Sequence, residues 1–308
     1  MTEARTLSPA QRDQVLRLVA AATEADGVAP LSEQAMLHVR YGAQAAAGGD
    51  GAPPGQLDLL AAPGGIITGY AHLEEEEPGV ASAELVVDPG HRGQGAGRAL
   101  LAALAQRAGP ATLRVWAHGD LAAAAGLAQV AGLSRVRALW QMRRPLRDPL
   151  PEPSLPAGVT LRTFVPGRDE DNWLRLNALA FAHHPEQGGW TRADLELREQ
   201  EDWFDPAGFF LAERDGRLAG FHWTKVHDGV TGEVYVVGVD PAEQGSGLGR
   251  ALTLTGLKYL RDDRGLAEVM LYVDESNQAA VRMYTSLGFT LAATDVMYGT
   301  GRPGGAAG

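Results

Sequence analysis

Two short stretches hold the residues best spaced to do chemistry. Residues 240 to 252 read DPAEQGSGLGRAL, and residues 88 to 100 read DPGHRGQGAGRAL. Each sets glycines at every second position, Gly93, Gly95 and Gly97 in one and Gly245, Gly247 and Gly249 in the other, directly before a run that looks helical. Glycines so spaced let successive backbone N–H groups turn toward one anion and let the chain approach it closely. A helix starting there adds the positive end of its dipole. The chemistry this suits is the grip of a phosphate or pyrophosphate. The spacing is G-x-G-x-G, not the G-x-G-x-x-G of a dinucleotide fold, and no Lys-Ser or Lys-Thr follows as a P-loop requires.

Elements must position those loops, and the chain supplies them twice. Asp88 and Asp240 differ by 240 − 88 = 152 positions, close to half of the 308 residues. At that offset Val87, Pro89, Arg98 and Leu100 also meet Val239, Pro241, Arg250 and Leu252. Between the copies lies PLRDPLPEPSLPAG, with prolines at 145, 149, 151, 153 and 156, which reads as a semi-rigid linker. The expected organisation is a domain at 1–144, a linker at 145–158 and a second domain at 159–308. Both halves are expected to be mixed α/β. The first opens with a helix capped by Ser8-Pro9, then strands at 64–74 and 81–88, the loop, a helix at 97–109, a strand at 111–118, an alanine-rich helix and a strand at 134–144. The second has a strand at 159–165, a helix at 171–182, a hairpin at 208–227 turning on Asp215-Gly216 and a strand at 231–240. After its loop come a helix at 249–265, a strand at 268–274, a helix at 277–288 and a strand at 290–299. GGDGAPPG (48–55) and the tail GTGRPGGAAG read as flexible surface segments, and LEEEEPG (73–79) as a solvated acidic turn.

Composition narrows the function classes. A hydrophobic fraction of 45% is enough for two cores, and the net charge of -11 argues against general binding to nucleic acid or an anionic membrane. The chain has no cysteine, which excludes disulfides, thiolate metal sites and a cysteine nucleophile. The acidic, weakly apolar N-terminus does not read as a signal peptide, and no stretch is long and apolar enough for a membrane helix. A cytoplasmic monomer is expected. His183 and His184 are adjacent but have no third ligand at metal spacing, so no metal is expected.

The pattern both loops satisfy is Q/R-x-x-G-x-G/A, that of the acyl-CoA pyrophosphate loop. Arg92, Gly95 and Gly97 meet it in the first half, and Gln244, Gly247 and Gly249 in the second. Over nearly their whole length both halves resemble the GNAT acetyltransferase superfamily. The second half adds that superfamily's closing pattern, NQAAVRMYTSLGF, with Asn277, Ala280, Tyr284, Gly288 and Phe289. The resemblance implies two tandem acyl-CoA-binding domains, each a mixed sheet flanked by helices, with acetyl-CoA in a V-shaped gap between splayed parallel strands. It implies that Val237, Gly238 and Val239, and in the first half Leu85, Val86 and Val87, hold the pantetheine arm. The pyrophosphate falls to Gln244, Gly245, Ser246, Gly247, Leu248, Gly249 and Arg250, with Gly93, Gln94, Gly95, Ala96, Gly97 and Arg98 as counterparts. Asn277, Gln278, Ala279, Ala280, Val281 and Arg282 complete the cofactor set.

Acetyl transfer to an amine needs a base for the ammonium and an acid for the leaving thiolate. Matching Gly132-Leu133 to Gly288-Phe289 sets Ala128 opposite Tyr284, where the superfamily places its acid, and matching the loops sets Ala81 opposite Glu233. Glu233, Tyr235 and Val237 are expected to alternate onto one face of their strand, pointing the carboxylate at the acceptor end. The second half is therefore expected to be the enzyme, with Glu233 as base and Tyr284 as acid. The first half is expected to be non-catalytic while keeping its loop.

Longer strings, LSEQAMLH (31–38), NALAFAHHPEQGGWT (177–191), GEVYVVGVDP (232–241) and LYVDESNQAAVRMYTSLGF (271–289), match a tandem branch of the superfamily that acetylates the cysteinyl amine of cysteinyl-glucosaminyl-inositol. The arginine and alanine bias suits its actinobacterial hosts. That likeness implies that Glu33, Glu186, Lys225, Glu233 and Tyr272 contact the acceptor. Spacing alone leaves open another small-molecule amine, a protein N-terminus, or a non-catalytic acyl-CoA sensor.

Overall fold

The computed structural model describes residues 1–42, 56–227 and 229–300. The glycine-rich stretch 48–55 and all of the tail beyond Thr300 lie outside the described residues. The chain divides into two compact units, Met1–Leu139 with Ala293–Gly308, and Trp140–Ala292. Residues 293–299, which follow the second half in sequence, thus belong with the first unit. The proline-rich stretch belongs with the second, where Leu146 is fully buried and Leu150 and Leu155 pack on its cores.

In the first unit β1 (Thr2–Ala4), β2 (Leu57–Ala61), β3 (Gly69–Glu77), β4 (Val80–Val87), β5 (Thr112–Ala117) and β12 (Thr290–Gly299) follow one another across the sheet. All neighbours are antiparallel except β4 and β5, which are parallel and joined through α3 (Ala96–Ala108), as a parallel pair requires a crossover. One face packs on α1 (Pro9–Asp26) and α2 (Glu33–Tyr41), and the other on α3. α4 (Ala122–Val130) and β6 (Ser134–Pro145) complete the half. Ser8 starts α1 with the expected cap, reciprocated by Gln11, a motif contributing about 1 kcal/mol. The acidic run at 73–77 is the end of β3, not a turn; Leu73 is buried and Glu76 pairs with Arg114 at 3.3 Å. Glu75 is exposed there, whereas the Glu76 side chain turns onto Arg114 and keeps little contact with water.

In the second unit the order is β6, β11 (Glu268–Asp274), β10 (Thr231–Val239), β9 (Arg217–His227), β8 (Phe209–Arg214) and β7 (Val159–Thr163). The β8–β9 hairpin turns where the sequence places it, with Asp215 and Gly216 at φ 50° and 74°. α5 (Glu170–Ala180), α6 (Pro185–Gly188) and α7 (Arg192–Glu199) precede the hairpin in the chain. α8 (Leu248–Lys258), continued by a π-helical turn at Tyr259–Asp263, joins β10 to β11, and α9 (Gln278–Ser286) follows. Leu254, Leu257 and Leu260 pack with Val234 and Leu271 on one face of the sheet; Trp173, Phe209, Phe221 and Trp223 fill the other.

Candidate active site

Pairing of β10 with β11 runs only from Thr231↔Glu268 to Val234↔Leu271, although β10 continues to Val239 and β11 to Asp274. Beyond Val234 the two parallel strands part, and Val237, Gly238 and Val239 lie along the opening. A β-bulge at Tyr235 coincides with this parting: Val234 pairs with Thr224 but Val236 with Trp223. Bulges add twist and re-aim side chains. Here Val234 and Val237 pack with the α8-side cluster, whereas Tyr235 and Val236 pack with Trp173 and Trp223. The simple alternation expected for Glu233, Tyr235 and Val237 is therefore broken, and Val237 faces away from Tyr235.

In the first unit no bulge interrupts β4 between Ala81 and Val87. Pairing with β5 runs from Val80↔Thr112 to Glu84↔Trp116. At the offset of 152, Glu84 corresponds to Val236, so this gap stays closed two residues further toward the loop than in the second unit. Leu85, Val86 and Val87 lie past that point.

Both glycine loops face open space. Gly245 and Gly247 adopt φ +79° and +87°, Gly93 and Gly95 +74° and +90°, and a Cβ on any of them would meet nothing within 4 Å. α8 and α3 start at Gly247 and Gly95 without a side-chain cap, unlike α7 and α9, capped by Thr191 and Asn277. Ser246 Oγ reaches the Leu248 N–H only at 3.4 Å. Uncapped first-turn N–H groups at the positive end of a helix suit an anion, and the pyrophosphate of a coenzyme A thioester fits them. Arg250 is held by Ser286 Oγ at 2.8 Å. Asn277 accepts from the Ala280 N–H at 3.1 Å, so its side chain also serves to start α9.

Glu233 is 6% exposed and stands directly opposite Lys225 across β10 and β9. A buried carboxylate needs partners. His227 Nε2 lies 2.6 Å from its Oε2, a neighbour visible only once β9 and β10 are set in register. The Lys225 ammonium sits 4.3 Å from the Trp203 ring and 5.1 Å from the Tyr235 ring, a desolvated cation–π pair worth roughly 2 kcal/mol. Arg198 stacks on Trp190 at 3.8 Å and donates from Nε to the Tyr235 hydroxyl at 2.8 Å. Carboxylate, ammonium, imidazole and aromatic rings thus converge beside the bulge. Sequence reading found Glu233 and Lys225 there but missed His227, Arg198, Trp190 and Trp203.

Tyr284 is buried in contact with Phe289, and burial pushes its hydroxyl up to about 12, so it stays protonated at neutral pH. Tyr272 is 40% exposed, and its hydroxyl accepts from Gln141 Nε2 at 2.9 Å. Glu186 falls in α6, and His183 and His184 in the turn before it. Glu33 is the first residue of α2.

Where the second unit aligns Phe209, Trp223 and Val236 across its strands, the first unit aligns Asp58, His72 and Glu84. Asp58 pairs with His38 at 3.1 Å and His72 at 3.0 Å, and accepts from the Tyr70 hydroxyl at 2.8 Å. Three of these donor atoms lie within 4.8 Å of one another, a spacing also found in metal sites, but both Asp58 oxygens here take hydrogen bonds. Burial lowers the affinity of His72 for a proton, and the hydrogen bond to Asp58 with the nearby Glu74 carboxylate more than reverses this, raising it to about 9. A charged network thus occupies the face that is aromatic in the second unit.

Residues 173–289 match the acetyltransferase (GNAT) family, and residues 57–129 match a GNAT acetyltransferase domain. The chain is 62% identical to the mycothiol acetyltransferase of Thermomonospora curvata, over 95% of this chain and 94% of that one. It is 60% identical to the mycothiol acetyltransferase of Thermobispora bispora, over 94% and 96%. The chain belongs to the mycothiol acetyltransferase family. Among solved structures, a GCN5-related N-acetyltransferase from Sphaerobacter thermophilus is 28% identical with a TM-score of 0.66, over 97% of this chain and 95% of that one. A tandem GNAT protein of the clavulanic acid pathway, 22% identical, shares the fold with a TM-score of 0.72 over 97% of both chains. The family's members are acetyltransferases, and this chain is one. Among the described residues no helix is long and apolar enough to cross a membrane.

Proposed function

We propose that the protein transfers the acetyl group of acetyl-CoA to the cysteinyl amine of 1D-myo-inositol 2-(L-cysteinylamino)-2-deoxy-α-D-glucopyranoside, the step that completes mycothiol. The observation carrying this is the likeness to mycothiol acetyltransferases at 62% identity over 95% of the chain. In this reading the second unit does the chemistry. Backbone N–H groups at Val237, Gly238 and Val239 hold the pantetheine arm, and the loop from Gln244 to Arg250, with Asn277 to Arg282, holds the rest. Glu233, kept in place by His227, takes a proton from the acceptor ammonium. Tyr284 gives its phenolic proton to the departing thiolate, and its raised proton affinity keeps that proton available. Glu33, Glu186, Lys225 and Tyr272 contact the acceptor, whose hydroxyls suit carboxylates and whose ring suits the aromatic surround of Lys225.

Leu85–Val87 and the loop from Gly93 to Arg98 hold a second acetyl-CoA without using it, since Ala81 and Ala128 stand where base and acid would be. A cytoplasmic monomer is the simplest form for a reaction between two small soluble substrates. The test is product analysis after incubation with acetyl-CoA and cysteinyl-glucosaminyl-inositol. The expected product keeps a titratable thiol and has lost the titratable amine. An S-acetyl product, or transfer only to other amines, would overturn the reading.

A further inference from the structure

We infer that Glu84, with His118 and Asp295, is a positioning group that fixes Glu33 by pinning the N-terminus of α2; this rests on the reading of Glu33 as an acceptor contact. Ser32 is held from both sides. Its backbone N–H donates to Glu84 Oε2 at 2.6 Å, while its hydroxyl accepts from the Ala35 N–H at 3.2 Å and caps the helix. Glu33 follows immediately as the first residue of α2. His118 Nε2 lies 3.6 Å from that same Glu84 oxygen, and its Nδ1 lies 3.0 Å from Asp295 Oδ2. Asp295 Oδ1 accepts from the Gly119 N–H at 2.8 Å. Four places in the first unit are tied together: the start of α2, β4, the end of β5 and β12.

Two buried carboxylates flank one imidazole, and one of them, Glu84, also meets the positive end of α2. Burial disfavours the charge on His118, but its hydrogen bond to Asp295 and the nearby Glu84 carboxylate outweigh this and raise it to about 10, so it stays cationic. The fold itself does not demand a carboxylate at this position, because the second unit has Val236 there. Replacing a buried ionic group by an apolar one is often neutral for stability, so a retained network is better explained by the geometry it imposes. What it imposes here is the place of Ser32 and hence of Glu33. Sequence reading missed it because Ser32, Glu84, His118 and Asp295 are far apart in the chain.

The test is steady-state kinetics with cysteinyl-glucosaminyl-inositol on full-length Glu33→Ala, Glu84→Ala, Glu84→Gln and the double variant Glu33→Ala/Glu84→Ala. Loss of one charge-assisted hydrogen bond should raise the acceptor KM of Glu84→Ala about tenfold, with kcat within about twofold. Glu84→Gln keeps an oxygen for the Ser32 N–H, so its KM should stay within about threefold of the parent. The double variant should be no worse than Glu33→Ala alone, because the effect runs through Glu33. A merely structural role predicts instead that kcat falls with KM and that the two substitutions add. If Glu84→Ala does not fold, Glu84→Val serves, since the second unit carries Val236 at the matching place and valine accepts nothing from the Ser32 N–H; the same rise in KM alone is expected, and no change would count against the role. If Glu33→Ala raises KM and Glu84→Ala does not, the positioning role is overturned by itself. If Glu33→Ala leaves KM unchanged, the acceptor contact falls, and the positioning role with it.

Discussion

Gly247→Asp is expected to raise the KM for acetyl-CoA about 100- to 1000-fold, while Gly95→Asp leaves acetyl transfer within about threefold of the parent, measured side by side in folded proteins. Proline would be a poor probe at either position. Both glycines sit near φ +90°, where proline cannot go, so both variants would fail for backbone reasons alone. Aspartate tolerates the left-handed region better than other side chains. Its Cβ enters open space at both positions, and its carboxylate sits where the pyrophosphate must approach. At about 4 Å a like charge near a protein surface opposes binding by about 4 kcal/mol, close to a thousandfold. Equal loss from both variants would contradict the assignment of chemistry to the second unit.

The second large effect belongs to Glu233. Glu233→Gln should lower kcat by about 100- to 10,000-fold at neutral pH, the usual contribution of a positioned base, and leave the KM for acetyl-CoA nearly unchanged. Glutamine fills the same volume and can still pair with His227, so the local packing beside Lys225 is kept. What it loses is the ability to take the ammonium proton. A pre-steady-state measurement of the acetyl-transfer step separates this from product release. A loss below about threefold would make Glu233 a binding residue at most.

What was legible in the sequence was local. The loops declared themselves because a backbone at positive φ asks for glycine, and Gly93, Gly95, Gly245 and Gly247 all adopt it. The Asp215-Gly216 hairpin was readable for the same reason, and the Ser8 cap because a serine before Pro9 can accept from the helix's first turn. The bulge at Tyr235 was not, since VYVV (234–237) is a continuous run of strand formers and the disruption shows only against β9. His227 lies six residues from Glu233 and becomes its partner only through strand register. β1, β2, α2 and α7 went unread, and with β2 went Asp58, whose partners His38 and His72 are 20 and 14 residues away. Nor could periodicity show that residues 293–299 pack with the first unit, because the length of a strand says nothing about its neighbours.

The most direct test of acetyl transfer to a cysteinyl sugar is the ratio of kcat/KM for cysteinyl-glucosaminyl-inositol to that for a simple cysteine amide, measured on the full chain at saturating acetyl-CoA. Two or three hydrogen bonds to the sugar and inositol hydroxyls, each contributing about 1 kcal/mol, predict a ratio of about 100. A ratio near one would contradict the acceptor assignment, leaving a tandem acetyltransferase whose pocket does not read the pseudodisaccharide.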